Sequence, residues 1–267
     1  MRKYLAFFIT RFNMGLQYRV AALAGLACQF FWGAMAILAF KAFYDTDPAS
    51  FPMTLPAMSS YIWLQQALLT LLTMGGIDNE FFNVIENGNV AYELCRPVDV
   101  YAMWYSRSAA TRVSNALLRC IPVLIVAALI PAPYGLMAPP DLLTFLTFLL
   151  SLLLALAVIN SMGMIVYMIT FHTITPRGVR LIAVNICDFF SGDIIPLPFF
   201  PAGFKEFVEL LPFSATANVP LRIYSGDLHG PEMVKLLLLQ AFWAVVLIAV
   251  GKVIEQRELR RVTIQGG

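Results

Sequence analysis

The sequence predicts an all-α membrane protein: six transmembrane helices, an N-terminal helix lying in the interface, and extracellular re-entrant helices between spans five and six. Three observations carry that expectation. Hydrophobic residues make up 60% of the 267 and charged residues only 13%, against about half and a quarter in a soluble domain. Six apolar runs are long enough to cross about 30 Å of hydrocarbon, which takes roughly 20 helical residues. Threaded through a bilayer, these runs leave the Lys and Arg residues gathered on one side. The net charge of +2 is too small to suggest a nucleic-acid partner.

Met1–Tyr18 resembles a signal peptide at first, with Arg2 and Lys3 ahead of Tyr4–Thr10. Arg11, Asn13, Gln17 and Arg19 interrupt any continuous apolar core, which argues against cleavage. On a helical wheel Leu5, Phe8, Ile9, Phe12 and Leu16 share one arc, and Lys3, Thr10, Asn13 and Gln17 the opposite one. That pattern fits a helix in the membrane plane (residues 1–19); a frayed start of the first span is the alternative.

The runs fall near Val20–Tyr44, Ala57–Gly76, Ala109–Ile130, Leu142–Phe171, Gly178–Ile195 and Met233–Val253. The chain therefore divides into spans one and two (20–76), a polar segment (77–108), spans three to five (109–195), a Pro-rich stretch (196–231), and a sixth span with its tail (232–267). With the N-terminus inside, 14 basic residues sit at cytoplasmic ends, and Lys41, Lys205, Arg222 and Lys235 make up the 4 on the other side. Both termini are expected inside.

Between Gly88 and Pro97 about two turns of helix fit, because glycine frees the backbone and proline cannot extend a helix. This piece carries Glu93 and Arg96, so it belongs at the water's edge rather than across the bilayer. Tyr92 and Leu94 read as apolar anchors, and Glu93 and Arg96 as docking charges. The plainer alternative is a loop whose Arg96 meets lipid phosphates. In the stretch 196–231, Pro196, Pro198 and Pro201 break the fifth helix, Ala202–Leu211 reads as a short helix, and Pro212 ends it. Irregular backbone at membrane depth needs cover from protein or a water-filled cavity, so this stretch is expected to cap the bundle.

Asp188 lies half-way through the fifth span, where an ionised Asp costs about 2.5–3.5 kcal/mol on insertion scales. With Asn185 and Asp193 it is a candidate for a substrate path; a hydrogen bond between helices, for example to Ser114, Asn115 or Asn160, is the other reading. Arg112 and Arg119 share a face of the third span. The two could line an inner vestibule, or snorkel, the plainer reading for Arg112; Arg119 sits deeper and needs a partner such as Glu80 or Asp188. Cys28, Cys95, Cys120 and Cys187 have neither disulfide nor metal spacing. No G-x-x-x-x-G-K-[ST] phosphate loop occurs, so ATP hydrolysis by that route is excluded for this chain.

The stretch from Gly88 to Tyr101, followed by Trp104 and Arg107, resembles the cytoplasmic loop of ABC-2 type permeases. Ile195–Pro201, Leu211–Phe213 and Tyr224–Gly226 are similar to the branch typified by viologen-exporter-like permeases. The resemblance implies the membrane half of an ATP-driven exporter in a bacterial inner membrane, moving a small hydrophobic or cationic compound. It implies a separate ATP-binding cassette subunit that binds ATP and Mg, with no cofactor in this chain, and a second permease chain in a heterodimer or homodimer. Gly88, Tyr92, Glu93, Leu94, Arg96 and Pro97 would form the coupling helix. Pro198, Phe200, Pro201, Pro212 and Phe213 would belong to the extracellular gate. Two other classes stay open on residues alone: a stand-alone ion-coupled transporter, and a membrane anchor or assembly protein with no transport path.

Overall fold

A computed structural model describes residues 2–17, 25–173 and 176–260, and among these there are helices, turns and loops but no strands. The start of the first expected span at Val20, with Tyr18 and Arg19, and Arg261 in the tail lie outside the described residues. The helices are α1 (Arg2–Gln17), α2 (Leu26–Thr46), α3 (Leu55–Leu72), α4 (Asn79–Glu86), α5 (Val90–Leu94), α6 (Val100–Leu129), α7 (Leu142–Ile169), α8 (Pro176–Phe190), α9 (Ala202–Glu209), α10 (Asn218–Tyr224) and α11 (Gly230–Leu259).

Among the described residues four helices are long and apolar enough to cross a membrane: α2, α6, α11, and α7 with the turn to His172. Two of the six expected spans fall short of that standard. Helix α3 has 18 residues, roughly 27 Å at 1.5 Å per residue, but carries Ser59, Ser60 and Gln65 as buried side chains. Protein rather than lipid surrounds most of it, so its composition is free to be more polar. Helix α8 has only 15 residues, roughly 22 Å.

Several boundaries follow local chemistry that the apolar runs do not reveal. Helix α6 begins at Val100, well before the expected Ala109, because the Asp99 carboxylate caps it by accepting from the Ala102 N–H at 2.8 Å. Asp141 caps α7 in the same way through Thr144 N–H. The two turns expected between Gly88 and Pro97 shrink to the five residues of α5. Gly88 adopts φ +70°, a left-handed value that suits glycine, and separates α5 from α4.

Helix α6 packs between α1 and α3, α2 lies on α3, and α7 is flanked by α11 and α10. One hydrophobic cluster gathers Tyr61, Trp63, Val123, Phe148 and Tyr224; a second gathers Phe81, Trp104, Met164 and Tyr167. Large apolar side chains point outward from the long helices, including Phe31 and Phe43 on α2 and Leu238 and Val245 on α11. Such a surface is suited to lipid and not to water.

The two ends of the bundle are clearly separated. At one end Lys3 donates to Pro97 O at 3.2 Å, Lys252 pairs with Asp99 at 3.0 Å, and His172 meets Glu258 at 2.5 Å. This end thus holds α1, the 77–99 segment and the last turns of α11. At the other, Trp63 donates to Tyr134 O at 2.7 Å and Tyr224 OH to Met137 O at 3.0 Å.

Candidate functional site

The end that carries α1 also carries α4 and α5, and a chain of ion pairs fastens them. Arg11 on α1 reaches Asp78 at 3.0 Å and also pairs with Glu80. Glu80 pairs in turn with Arg107 on α6, and Arg107 Nη1 meets Glu93 on α5 at 2.9 Å. The second Glu93 oxygen accepts from the Trp104 indole N–H. Burial works against the charge on Arg11, yet Asp78 and Glu80 together hold its pKa above the ordinary arginine value. Asp99 shows the converse: burial pushes its pKa up, but the Ala102 N–H and the Lys252 ammonium hold it below the usual carboxylate range.

This network decides which way α5 faces. Val90 is buried in the second cluster, Leu94 is half-buried against it, and Glu93 is only 7% exposed. Tyr92 is 74% exposed, and Gly88, Arg96 and Pro97 are exposed beside it. The expectation of Glu93 as an outward docking charge is therefore corrected: its carboxylate faces inward and pins α5 to α6. Leu94 likewise serves the interior more than the surface. Of the six coupling candidates, Gly88, Tyr92, Arg96 and Pro97 form the exposed group.

Of the path candidates the structure brings Asp188 and Asp193 together, the Asp193 N–H donating to Asp188 O at 3.1 Å, but not Asn185. Asn185 is exposed, and its side chain donates to Leu181 O of its own helix at 2.7 Å. Asp188 lies where α8 meets the Met74–Gly76 turn, and none of Ser114, Asn115 or Asn160 bonds it among the described contacts. Asp193 is held by Gln65 Nε2, which donates to its carbonyl at 2.7 Å and to Oδ1 at 3.0 Å.

Arg112 departs from the snorkelling expectation. It is 1% exposed, and Nη1 donates to Thr73 O at 2.8 Å and Thr70 O at 3.5 Å. Its face of α6 looks onto the C-terminal carbonyls of α3, the end of a helix that favours a cation. Arg119 lies against Gly25, and Glu80 is already engaged by Arg11 and Arg107.

The gate candidates form an aromatic layer next to the end of α8. Phe200 stacks near Phe204 at 5.3 Å and Phe189 at 5.8 Å, while Phe213 stacks on Phe190 at 5.8 Å. Pro198, Pro201 and Pro212 bound the turns that carry these rings. Sequence reasoning missed Phe190 and Phe204 as members of this layer, and Asp78, Glu80 and Arg11 as members of the ion-pair chain. Asp78 had a legible signal, since it opens α4 as its N-cap.

A helical body with lipid-suited faces and four helices, among the described residues, long enough to span defines a multi-pass membrane protein. The family model described as ABC-2 family transporter protein matches residues 30–266, and the chain belongs to that family. Helix α1 precedes the matched region. No curated protein matches the chain. Membership makes this a membrane subunit of a transporter, a role that in general goes with an ABC ATPase partner.

Proposed function

We propose that the chain is the permease subunit of an ATP-driven exporter, with α3 and α8 completing six spans and both termini in the cytoplasm of a bacterial inner membrane. The observation that carries this reading is α5: a short helix with Tyr92 exposed on one side and Glu93 locked to α6 on the other. An ATPase can bias a permease only through contacts that differ between its states. A loose loop would absorb a push, whereas α5 is tied to α6 through Arg107 and, through Glu80, to α1. A separately encoded ATPase, which binds ATP and Mg, would seat Tyr92 and Arg96. Two permease chains, different or identical, would pair above two ATPases. Residues 196–231 would form the outer cap, with its short helices dipping into the outer leaflet, and the cargo would be a small hydrophobic or cationic compound.

The test is substrate-stimulated ATP turnover by the purified complex. Arg96→Glu combined with Tyr92→Ala is expected to abolish stimulation while membrane insertion and melting temperature stay unchanged. Normal stimulation in that variant overturns the coupling assignment.

A further inference from the structure

Helix α11 runs for 30 residues with no proline beyond its first turn, so it extends roughly 45 Å as one piece. Its last turns grip the segment that leads from α5 into α6. Lys252 Nζ is 3.0 Å from Asp99, and Glu255 Oε1 accepts from the Tyr101 N–H at 2.8 Å. Those two residues stand three apart, on one face of the helix, and Gly251 adjoins them. A Cβ at Gly251 would lie 2.6 Å from Tyr101 Oη, so α11 and the start of α6 meet there with no room for a side chain.

The other half of the same helix grips the 196–231 stretch. Gln240 is fully buried; it donates to Ala215 O at 2.8 Å and accepts from Ser151 Oγ of α7 at 2.9 Å. Trp243 Nε1 donates to Leu210 O at 3.0 Å. Leu210 and Ala215 stand on either side of Pro212 and Phe213, two of the gate candidates. From Gln240 to Glu255 the axis runs roughly 22 Å. Between the two grips α11 turns Val245, 69% exposed, towards lipid, and its backbone bonds close within the helix. Such a rod carries a displacement from end to end, where a loop would absorb it. Helix α6 is less suited to that task, since Pro122 interrupts its ladder of hydrogen bonds.

We infer that α11 is a rod linking the 97–101 segment to the 196–231 stretch. Gly251, Lys252 and Glu255 are its positioning residues at one end, Gln240 and Trp243 at the other. Under the permease reading, on which the inference rests for its meaning, a push on α5 reaches the outer cap along this helix. Backbone amide exchange tests the linkage on the purified full chain in lipid nanodiscs, with no ATPase present. Gly251→Ala, which forces α11 and Tyr101 apart, is expected to speed exchange over residues 209–229 about five-fold or more, the low end of coupling between sites. Helix α3, off the route, should keep its wild-type rates. Linkage is reciprocal, so Gln240→Leu should in turn speed exchange over residues 98–102. Lys252→Met leaves the Asp99 cap in place and should move residues 209–229 in the same direction by less; it decides alone where Gly251→Ala does not fold. Variants at the inner end that alter exchange only at that end overturn the inference, because the two halves of α11 then act separately. So does a rise spread evenly over α3, since the whole bundle is then loosened. Tyr92 and Arg96 are untouched throughout, so this linkage and the coupling assignment can fail independently.

Discussion

Arg107 Nη1 lies 2.9 Å from Glu93 Oε1, and that pair fastens the five residues of α5 to the long helix α6. Both side chains are largely hidden, 14% and 10% exposed, so the contact is not a solvent-screened surface pair. Removing Arg107 leaves the Glu93 carboxylate buried without a cation, a loss on the order of 3–5 kcal/mol, whereas removing the Glu93 charge costs less because Arg107 keeps Glu80. Glu93→Gln and Arg107→Gln are each expected to lower the melting temperature and to speed amide hydrogen exchange over residues 88–98. The double variant should lose clearly less than the sum of the two. Strict additivity would show that the residues do not hold one another.

Helix α1 sits on α6 at a spot where only glycine fits. A Cβ at Gly15 would lie 2.1 Å from Ser114 Oγ and 2.8 Å from Ser114 Cβ. Gly15→Ala is therefore expected to prise α1 from α6 and weaken the Arg11 pairs, at about 1–3 kcal/mol for overpacking. Limited proteolysis of α1 should rise in Gly15→Ala and fall again in Gly15→Ala with Ser114→Gly. Ser114→Ala should not rescue, because the Cβ itself is in the way.

Much of the architecture is legible in the residues, for reasons that stop where local chemistry stops. The amphipathic arc of α1 and the punctuation by Gly88 and Pro97 are short-range signals, and they place elements well; the Asp99 cap is as local, yet the apolar run alone puts the start of α6 at Ala109 instead of Val100. The direction of Glu93 is not short-range: it depends on Arg107, fourteen positions away, and on Trp104 beside it. Arg112 misleads for the same reason. A lone arginine near a span end reads as snorkelling until the carbonyls of Thr70 and Thr73, from another helix, are seen to receive it. The polar tone of α3 makes sense only once its neighbours replace lipid around it.

Acid should reveal the Asp99 contact. Burial raises the pKa of this carboxylate, but Ala102 N–H and Lys252 more than offset that and leave it below the ordinary value. A depressed folded pKa means the contribution is fully present above the unfolded value, near 3.9, and is lost as pH falls through the lower folded value. Asp99→Asn is expected to be less stable than wild type at neutral pH by about 0.5–1 kcal/mol, since the pair is partly exposed. The two melting curves should converge as pH drops below about 4. A constant gap across that range would assign the loss to something other than the Asp99 charge.

At the opposite end Arg222 gathers the cap. It is 3% exposed, with Nη1 at 2.7 Å from Glu209 of α9, Nε at 2.5 Å from Asp227, and Nη2 at 3.8 Å from Glu232 in the first turn of α11. Three nitrogens of one planar fork thus serve three acids on separate elements, a geometry that lysine cannot copy. Arg222→Met leaves Asp227 without its cation and Glu209 with only Lys205 at 3.9 Å, and should cost on the order of 3–5 kcal/mol. Arg222→Lys should recover only part of that, whereas Glu209→Gln should be milder because the guanidinium keeps Asp227. Protease protection of the 196–229 stretch, followed alongside melting, reads the outcome. If Arg222→Met melts and resists protease like the wild type, the cap is held by the packing of α10 on α7 and not by the charge cluster.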